Sequence, residues 1–446
     1  MSDMLSIGAS GVRAYQNALT TVSDNIANAA TPGYARRTTD LAEIAPATGV
    51  TTGGVVTVGN GVVVSGVTRS ADALREADVR TAGADLARSD TSIEWLGRIE
   101  TALSGNQLGD RLTGFFNATK AVAADPTATV PRSTMLEQAS AVAGSFRATG
   151  EALDQLDSDV DTMAGTAVST LNRLGTALAK VNEGIGRVKA GSAGAASLAD
   201  QRDSILDQMS AISDVSVSID AYGRAAVKLG NAGGPAFVSG TQSDTLQAAR
   251  GTDGVIAFSL QSSQATVSPS GGALAGVVEG AQRITNARTE LNKIATAFTD
   301  GVNAIQTGGA DLDSKAGEPM FKAGTSATDI SVILTDPRGI AAAETGSGPR
   351  DNGNLAKLAA LRTEGAFENK TTALVSANAA TLAARKQVAT AQSAIRDNAV
   401  SARDAVSGVN LDSEAVDLMR FQQAYQASSR VIQVAKDTLQ SILDIR

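Results

Sequence analysis

The sequence predicts a mainly α-helical protein whose terminal helices pair as a coiled coil, with a long helical-bundle body and a small β-rich inserted domain. Apolar residues recur three and four positions apart at both ends of the chain. Aromatic residues make up only 3 % of the 446 residues, which favours Ala-rich helices over one large aromatic core. One central stretch changes to the alternating period of β-strands.

The composition excludes several classes of function. The chain carries 38 basic and 46 acidic residues with no long basic run, which argues against nucleic acid as a partner. It contains no Cys and no His, so disulfides, thiol nucleophiles, Ser-His-Asp triads and His-ligated zinc are excluded. Carboxylate or Ser-Lys chemistry stays open, but no motif supports it. We therefore expect no catalytic residues, no cofactor and no metal.

No membrane insertion is expected, because the chain has no continuous apolar stretch of spanning length. The first residues also lack the basic and apolar regions of a cleaved secretory signal.

The C-terminal segment predicts a helix that needs a partner. Ser407 and Gly408 interrupt the preceding helical pattern, and Asn410 or Asp412 can cap a new helix with Glu414 in its first turn. The apolar seam of this helix comprises Leu418, Phe421, Tyr425, Ser428, Ile432, Ala435, Leu439 and Ile442. One helix alone cannot bury such a stripe, so the seam is expected to meet another helix. An ordinary terminal helix docked on its own domain is the alternative.

Residues 4–28 repeat this pattern at the other end of the chain. Their seam comprises Leu5, Gly8, Val12, Tyr15, Leu19, Val22 and Ile26. Asn25, Asn28 and the TPG segment at 31–33 are predicted to end the helix, since Pro fixes φ at the second position of a turn and Gly accepts a positive φ at the third. The two terminal helices can pair with each other, with neighbouring copies, or with both.

The predicted domains follow from these periodicities. They are a terminal helical domain at 1–45 and 405–446, a β-ribbon linker at 46–70, a helical body at 71–213 and 271–404, and a β-rich outer insert at 214–270. Helix is expected over 71–118, 133–190, 273–305 and 352–405, with breaks at Asp125-Pro126, at Pro131 and near Gly365. In the insert, 215–219 and 225–229 alternate as two strands around a turn at 222–223.

Three groups of residues in the body could be taken for a binding or catalytic site, and we assign each of them a structural role instead. Trp95, the single tryptophan, is expected to pack in a helical core. Asp200, Arg202 and Asp203 are predicted to form an exposed charge cluster at a helix start rather than a catalytic group. The loop with Asp311, Asp313 and Glu318 does not fit a calcium-binding EF-hand, because Lys315 and Ala316 stand where an oxygen ligand and a Gly are needed.

The N-terminal segment resembles the signature of the bacterial flagellar axial proteins, the family of rod, hook and hook-associated proteins. The resemblance lies in SDNIANAATPGY, from Ser23 to Tyr34. Four further blocks are similar to the hook-associated protein 1 branch of this family: 115–146, 197–230 with its DQRD motif, 297–321 and 407–433.

The resemblance implies a non-enzymatic structural protein that forms the junction between hook and filament. It implies an extracellular position on the flagellum, reached by type III export without signal cleavage. The implied partners are further copies of the chain in a ring, the hook protein, hook-associated protein 3, and a cytoplasmic export chaperone that holds the C-terminal helix. The expected assembly-interface residues are Leu5, Val12, Tyr15, Leu19, Val22, Asn25, Ile26, Asn28, Pro32, Gly33, Tyr34, Leu418, Phe421, Tyr425, Ile432, Leu439 and Ile442.

Two alternatives stay open. Another axial protein, a hook or distal-rod subunit, would share the N-terminal signature, but the DQRD block and the long helical body argue against it, since the resemblance implies a predominantly β body for hook proteins. A secreted hydrolase or adhesin that uses flagellar ends as export signals would need a catalytic constellation or a recognition domain.

Overall fold

Helices dominate the protein, which confirms the predicted mainly α fold class. A computed structural model describes residues 2–44 and 60–444. Its helices are α1 (Ser2–Ala27), α2 (Ala73–Ser104), α3 (Leu108–Ala124), α4 (Thr129–Arg187), α5 (Ala193–Ile212), α6 (Gly272–Thr307), α7 (Gly353–Gly365), α8 (Phe367–Ser407) and α9 (Leu411–Leu443). Its strands are β1 (Arg37–Glu43), β2 (Val62–Arg69), β3 (Val215–Ile219), β4 (Ala225–Leu229), β5 (Ala236–Ser239), β6 (Gln242–Ser243), β7 (Leu246–Arg250), β8 (Ile256–Leu260), β9 (Thr266–Val267), β10 (Gly309–Ala310) and β11 (Ala343–Glu344).

A β-ribbon packs beside α1, but it begins earlier than expected. β1 and β2 pair antiparallel, with Arg37 opposite Arg69. The ribbon was predicted within 46–70, so the first strand was placed too late in the chain. β1 was overlooked because it lies before the Gly- and Val-rich segment, although its Thr38 and Thr39 are β-branched as well. Residues 46–59 of the predicted ribbon lie outside the described residues, and the domain boundaries remain a prediction.

The core of the body is a helical bundle that closes around Phe298 of α6. The Phe298 ring lies 5.3 Å from that of Phe115 on α3 and 5.5 Å from that of Phe367 on α8, both edge to face. Trp95 of α2 is fully buried, as predicted. Gly280 of α6 makes room for it, since a Cβ there would lie 2.6 Å from the indole ring.

Two helix boundaries in the body differ from the prediction. The helix expected over 71–118 is divided between α2 and α3, where Gln107 adopts a positive φ of 50°. Pro131 does not break a helix but lies in the first turn of α4. The N–H groups of a first turn have no acceptor within the helix, so the N–H that proline lacks costs no hydrogen bond there. The break predicted near Gly365 is confirmed, because Ala366, with a φ of 47°, separates α7 from α8.

Two asparagines of α4 hold the β-insert. The insert consists of a four-stranded sheet in the order β3-β4-β5-β6 and a three-stranded sheet in the order β7-β8-β9, and it contains the predicted β3–β4 hairpin. The Asn182 amide donates to the Ala225 carbonyl at 2.8 Å, and its oxygen accepts from the Ala225 N–H at 2.9 Å. Asn172 makes the same pair of bonds with Leu246, at 2.9 and 2.8 Å. Side chains of α4 therefore satisfy backbone groups in both sheets.

Candidate functional site at the paired terminal helices

The two ends of the chain meet, because α1 and α9 pack along each other in antiparallel orientation. They approach closely at two glycines of α1. A Cβ at Gly8 would lie 2.7 Å from Cγ1 of Ile432, and a Cβ at Gly11 would lie 2.6 Å from Oγ of Ser428. Of the three pairings that the periodicity leaves open, the structure contains the one between the chain's own termini.

The buried face of α1 is centred on smaller residues than the predicted seam. Ala14 and Ala18 are buried, whereas Val12 and Leu19 are half-buried and Ile26 is exposed. Val22 of the predicted seam is buried as well. Small side chains let α9 and the ribbon come close, and Val12, Leu19 and Ile26 lie at the flanks of the contact.

α9 keeps much of its apolar surface exposed. The half-buried members of its predicted seam are Leu418, Phe421, Tyr425 and Ile432. Leu439 and Ile442, further along the seam, are 41 % and 51 % exposed. Outside the seam, five further large apolar side chains are each more than half exposed: Leu411, Val416, Met419, Val434 and Leu443. Val416, Met419 and Val434 share the side of α9 opposite the seam, and we call these three the outer face. Apolar residues that accumulate in this way on one helix are typical of an interaction surface.

A buried carboxylate joins the two terminal helices where α9 begins. Glu414 is fully buried, and its two oxygens accept hydrogen bonds from the Asn25 amide at 2.9 Å and from Arg36 Nε at 2.6 Å. Asn25 also donates to the Arg37 carbonyl at 2.8 Å, and its oxygen accepts from the Arg37 N–H at 3.0 Å and from the Tyr34 hydroxyl at 2.9 Å. Every hydrogen-bonding group of Asn25 is thus used. We call Asn25, Tyr34, Arg36 and Glu414 the terminal latch.

The turn before α9 positions Glu414. Asn410 caps the helix, because its side-chain oxygen accepts from the N–H groups of Asp412 at 3.0 Å and Ser413 at 3.1 Å. The carbonyl of Ser407, just before this turn, accepts from the N–H of Arg36 at 2.8 Å. The segment 407–410 therefore fixes the start of α9 in two ways: the Ser407 carbonyl binds Arg36, and the Asn410 side chain caps the helix.

The TPG segment forms the predicted turn and directs Tyr34 inward. The Tyr34 N–H donates to the Thr31 carbonyl at 3.1 Å, and Gly33 has a φ of 78°, as expected for the third residue of a type II turn. Pro32 and Gly33 are exposed, whereas Tyr34 is half-buried. Burial raises the pKa of the Tyr34 hydroxyl, so this group stays protonated and keeps its hydrogen bond to Asn25.

Ion pairs beneath the latch fix the ribbon to α5. Asp200 accepts from Arg37 and from Arg69, both at 2.6 Å, and Asp203 pairs with Arg69 at 2.7 Å and with Arg202 at 2.8 Å. The side chains of Asp200 and Asp203 are only 13 % and 9 % exposed. The prediction of an exposed cluster at a helix start is therefore wrong, since Asp200 lies inside α5 and is covered by the ribbon. We call Arg37, Arg69, Asp200 and Asp203 the ribbon clamp.

The structure brings together some of the predicted interface residues and adds others. Asn25 and Tyr34 belong to the latch, but Asn28 bonds within its own turn, to the Asp24 carbonyl at 2.9 Å. Sequence reasoning missed the role of Arg36 and assigned Glu414 only to the first turn of α9. Arg36 lies two positions after the TPGY motif, and this position could have marked it as part of the site. Its partner Glu414 lies 378 positions away, so no local sequence pattern predicts the ion pair.

The described ranges, 2–44 and 60–444, contain no cluster of three or more His, Cys, Asp or Glu side chains placed to hold a metal ion. Within those same ranges, no helix has both the length and the hydropathy needed to span a bilayer.

Three known families match the chain. Residues 96–321 match the helical domain of the flagellar hook-associated protein FlgK, residues 5–34 match the flagella basal body rod protein family, and residues 402–445 match the C-terminal family of the FlgEFG basal body rod proteins. Each terminal match contains one of the two paired helices or most of it.

Curated relatives carry the same family name. The chain is 30 % identical to flagellar hook-associated protein 1 of Salmonella typhimurium over 73 % of this chain and 60 % of that protein. It is 25 % identical to the Escherichia coli protein of that name, with all of both chains covered. The chain thus spans about three fifths of the length of the Salmonella relative that it matches.

Among solved structures, the chain is similar to the flagellar hook junction protein FlgK from Burkholderia pseudomallei, with a TM-score of 0.49 and 22 % identity over 56 % of this chain and 47 % of that one. The match to the FlgK helical domain alone covers more than half of the 446 residues, and the protein therefore belongs to the FlgK family of flagellar hook-associated proteins.

Proposed function

We propose that this protein is a non-enzymatic structural subunit of the bacterial flagellum, located at the junction between hook and filament. Membership of the FlgK family and the shared name of its relatives support this position. The observation that carries the proposal is the latched pair α1–α9, which is held in one register and still presents the apolar outer face to solvent.

Assembly through this pair has a simple physical basis. Fully burying one large apolar side chain is worth roughly 1.5–3 kcal/mol, and the outer face keeps three such side chains more than half exposed. A neighbouring copy that covers this face gains part of that energy at every contact. A contact between the outer face and a different surface of the next copy is heterologous, and such contacts generate rings or helical tubes rather than closed dimers.

The proposed partners are those that the likeness to the flagellar hook-associated proteins implies. In the assembled state, copies of the chain cover the outer face, the hook protein adjoins the ring on one side and hook-associated protein 3 on the other. Before assembly, a cytoplasmic export chaperone covers α9, since a free apolar face promotes aggregation. Export proceeds through the flagellar type III apparatus without signal cleavage, which places the protein outside the cell.

The test compares α9 variants in cells that lack the gene. Val434→Asp places a charge on the outer face, and the seam variants Leu418→Asp and Ile432→Asp disturb the contact with α1. Gln426→Asp is the control, because Gln426 is an exposed polar residue of the same helix. We expect hooks without filaments and flagellin in the medium for the first three variants, and normal filaments for the control.

Purified Val434→Asp must keep the circular dichroism spectrum of the wild type, so that a loss of filaments reports assembly and not folding. Normal filaments with this variant would show that the outer face does not drive assembly. Deletion of the gene decides the position: missing hooks would make the protein a rod or hook subunit, and normal flagella would overturn the flagellar role.

A further inference from the structure

A second group of charged side chains lies beside the ribbon clamp, where α2, α5 and α8 converge just before the turn into α9. Glu76 and Arg80 belong to α2, Asp207 to α5 and Arg403 to α8; we call these four the junction charges. Asp207 lies 3.8 Å from Arg80 Nη1 and 3.6 Å from Arg403 Nη1. These separations are about 1 Å longer than the ion pairs of the ribbon clamp, and they exceed hydrogen-bonding distance.

The junction charges are partly buried, and Asp207 is poorly paired. The side chains of Asp207 and Arg403 are 30 % and 17 % exposed, and Arg403 also pairs with Asp404 at 3.0 Å. Glu76 is 7 % exposed. Oδ1 of Asp207 and Nη1 of Arg80 are both shielded from solvent, and neither atom has a hydrogen-bond partner among the described residues. Partial burial removes some of the hydration of Glu76, Arg80 and Asp207, and ion pairs without hydrogen bonds return little of that cost. The carboxylates of Glu76 and Asp207 also repel each other, so the group is under electrostatic strain while both are ionised.

Binding one proton relieves this strain. Burial, followed by the charge of Glu76, raises the pKa of Asp207 to about 6. Burial, followed by the charge of Asp203, raises the pKa of Glu76. Asp203 on α5 also raises the pKa of Asp207. The cations that face the pair are Arg80 on α2, Arg403 on α8 and Arg69 on β2, and they favour the ionised carboxylates. The net shift is upward because burial and the repulsion between acids outweigh these cations.

The position of the group connects it to the terminal helices. Glu76, Asp207 and Arg403 line a cleft of about 560 Å³, together with residues 29–35, 203–204, 404–405 and 407–410. Arg403 lies one helical turn before Ser407, whose carbonyl holds the N–H of Arg36 in the terminal latch. A movement of the C-terminal end of α8 therefore displaces a hydrogen-bond partner of Arg36. The cleft lets protons reach the carboxyl groups and leaves space for α8 to move.

We propose that the junction charges form a proton-operated joint, which attaches the terminal helix pair firmly to the body when a proton is bound and loosens that attachment when the proton leaves. The joint is intramolecular and does not depend on the proposed place in the flagellum. Because the carboxyl pair takes up its proton more readily in the closed joint than in the open one, the stabilisation is complete below the ordinary pKa of Asp. It is lost as the pH rises through about 6.

The experiment measures hydrogen exchange of the segment 400–414 in the full chain at pH 5, 6 and 7. Rates are corrected for the intrinsic effect of pH and compared with those of α6. In the wild type, we expect the protection of this segment relative to α6 to fall by about tenfold between pH 5 and pH 7. Asp207→Asn mimics the protonated carboxyl, so it should keep the pH 5 protection at pH 7 and abolish the pH dependence.

Asp200→Asn is the matched control, because it removes a tightly paired carboxylate of the ribbon clamp from the same helix. It should lower the protection at every pH and leave the slope between pH 5 and pH 7 unchanged. The proposal is overturned if wild-type protection does not depend on pH, or if Asp207→Asn shows the wild-type slope or behaves like Asp200→Asn. Should Asp207→Asn not fold, Glu76→Gln provides the test, since removing the neighbouring charge must shift the midpoint to lower pH.

Discussion

The side-chain amide of Asn25 and the carboxylate of Glu414 lie 2.9 Å apart, although 389 positions separate them in the chain. Asn25 belongs to the N-terminal signature of the axial proteins, and Glu414 opens the C-terminal helix. Because Glu414 is fully buried, its charge is tolerated only while Asn25 and Arg36 donate to it. The bond therefore permits one register of α1 against α9 and disfavours the others.

Removal of this carboxylate should separate the terminal helices without unfolding the body. In Glu414→Ala, Arg36 Nε and the Asn25 amide lose this acceptor, while Arg36 keeps Asp417 at 3.3 Å, so the pairing of α1 with α9 should weaken by about 1–3 kcal/mol. Hydrogen exchange of α1 and α9 should rise while that of α6 stays unchanged. Asp437→Asn, an exposed substitution on the same helix, is the control. Unchanged protection of α9 in Glu414→Ala would show that the latch does not hold the pair.

A methyl group at Gly8 should weaken the same pairing. Alanine is a better helix former than glycine by about 1 kcal/mol, so propensity alone predicts stabilisation. At Gly8, however, the new Cβ would lie 2.7 Å from Cγ1 of Ile432, and α9 must move away. At Gly83 of α2, an added Cβ would meet no atom within 4 Å, so Gly83→Ala should raise the melting temperature. Equal effects of the two substitutions on α9 protection would contradict the close approach.

The sequence alone predicts the parts of this fold that local periodicity determines. The terminal helices, the β3–β4 hairpin and the break near Gly365 follow from spacing and turn residues. The ribbon clamp does not, because Arg37 and Asp200 are 163 positions apart and each resembles a solvated surface charge in its own segment. Pro131 was misjudged for a related reason: whether a proline breaks a helix depends on where the helix begins, and packing of the whole bundle decides that.

Arg132 should be indispensable for the body, although no carboxylate pairs with it among the described residues. Its side chain is 1 % exposed, and it donates to the carbonyls of Pro126 and Ile340, both at 2.7 Å. Burial lowers the pKa of its guanidinium, but the bonded carbonyls partly replace the lost water. Arg132→Ala leaves these acceptors unsatisfied, so the free energy of unfolding should fall by about 3 kcal/mol in urea titrations.

Arg111→Ala is the control for this substitution, because Arg111 is exposed on the neighbouring helix α3. Its effect should stay within about 0.5 kcal/mol. If Arg132→Ala is equally mild, the carbonyls of Pro126 and Ile340 must be satisfied by water, and the arginine would only fill space.

Loss of Arg250 should free one sheet of the insert and leave the other in place. Arg250, on β7, donates to Asp157 of α4 at 3.0 Å and to Asp161 at 2.9 Å. In Arg250→Ala, β7 retains the Asn172 hydrogen bonds as its polar attachment to α4, so hydrogen exchange over 246–260 should accelerate. The β3–β4 hairpin should keep its protection, because Asn182 holds it independently.

Arg224→Ala is the control for Arg250→Ala, because it also removes an arginine from the insert but breaks no ion pair with α4 among the described residues. Arg224 pairs with Asp220 at 2.7 Å on the exposed hairpin, where both side chains are about one third exposed or more. Surface pairs of this kind are worth about 0–1 kcal/mol, so exchange over 246–260 should not change. If Arg250→Ala instead releases both sheets together, the insert docks as one unit, and the asparagines of α4 do not suffice to hold β3 and β4.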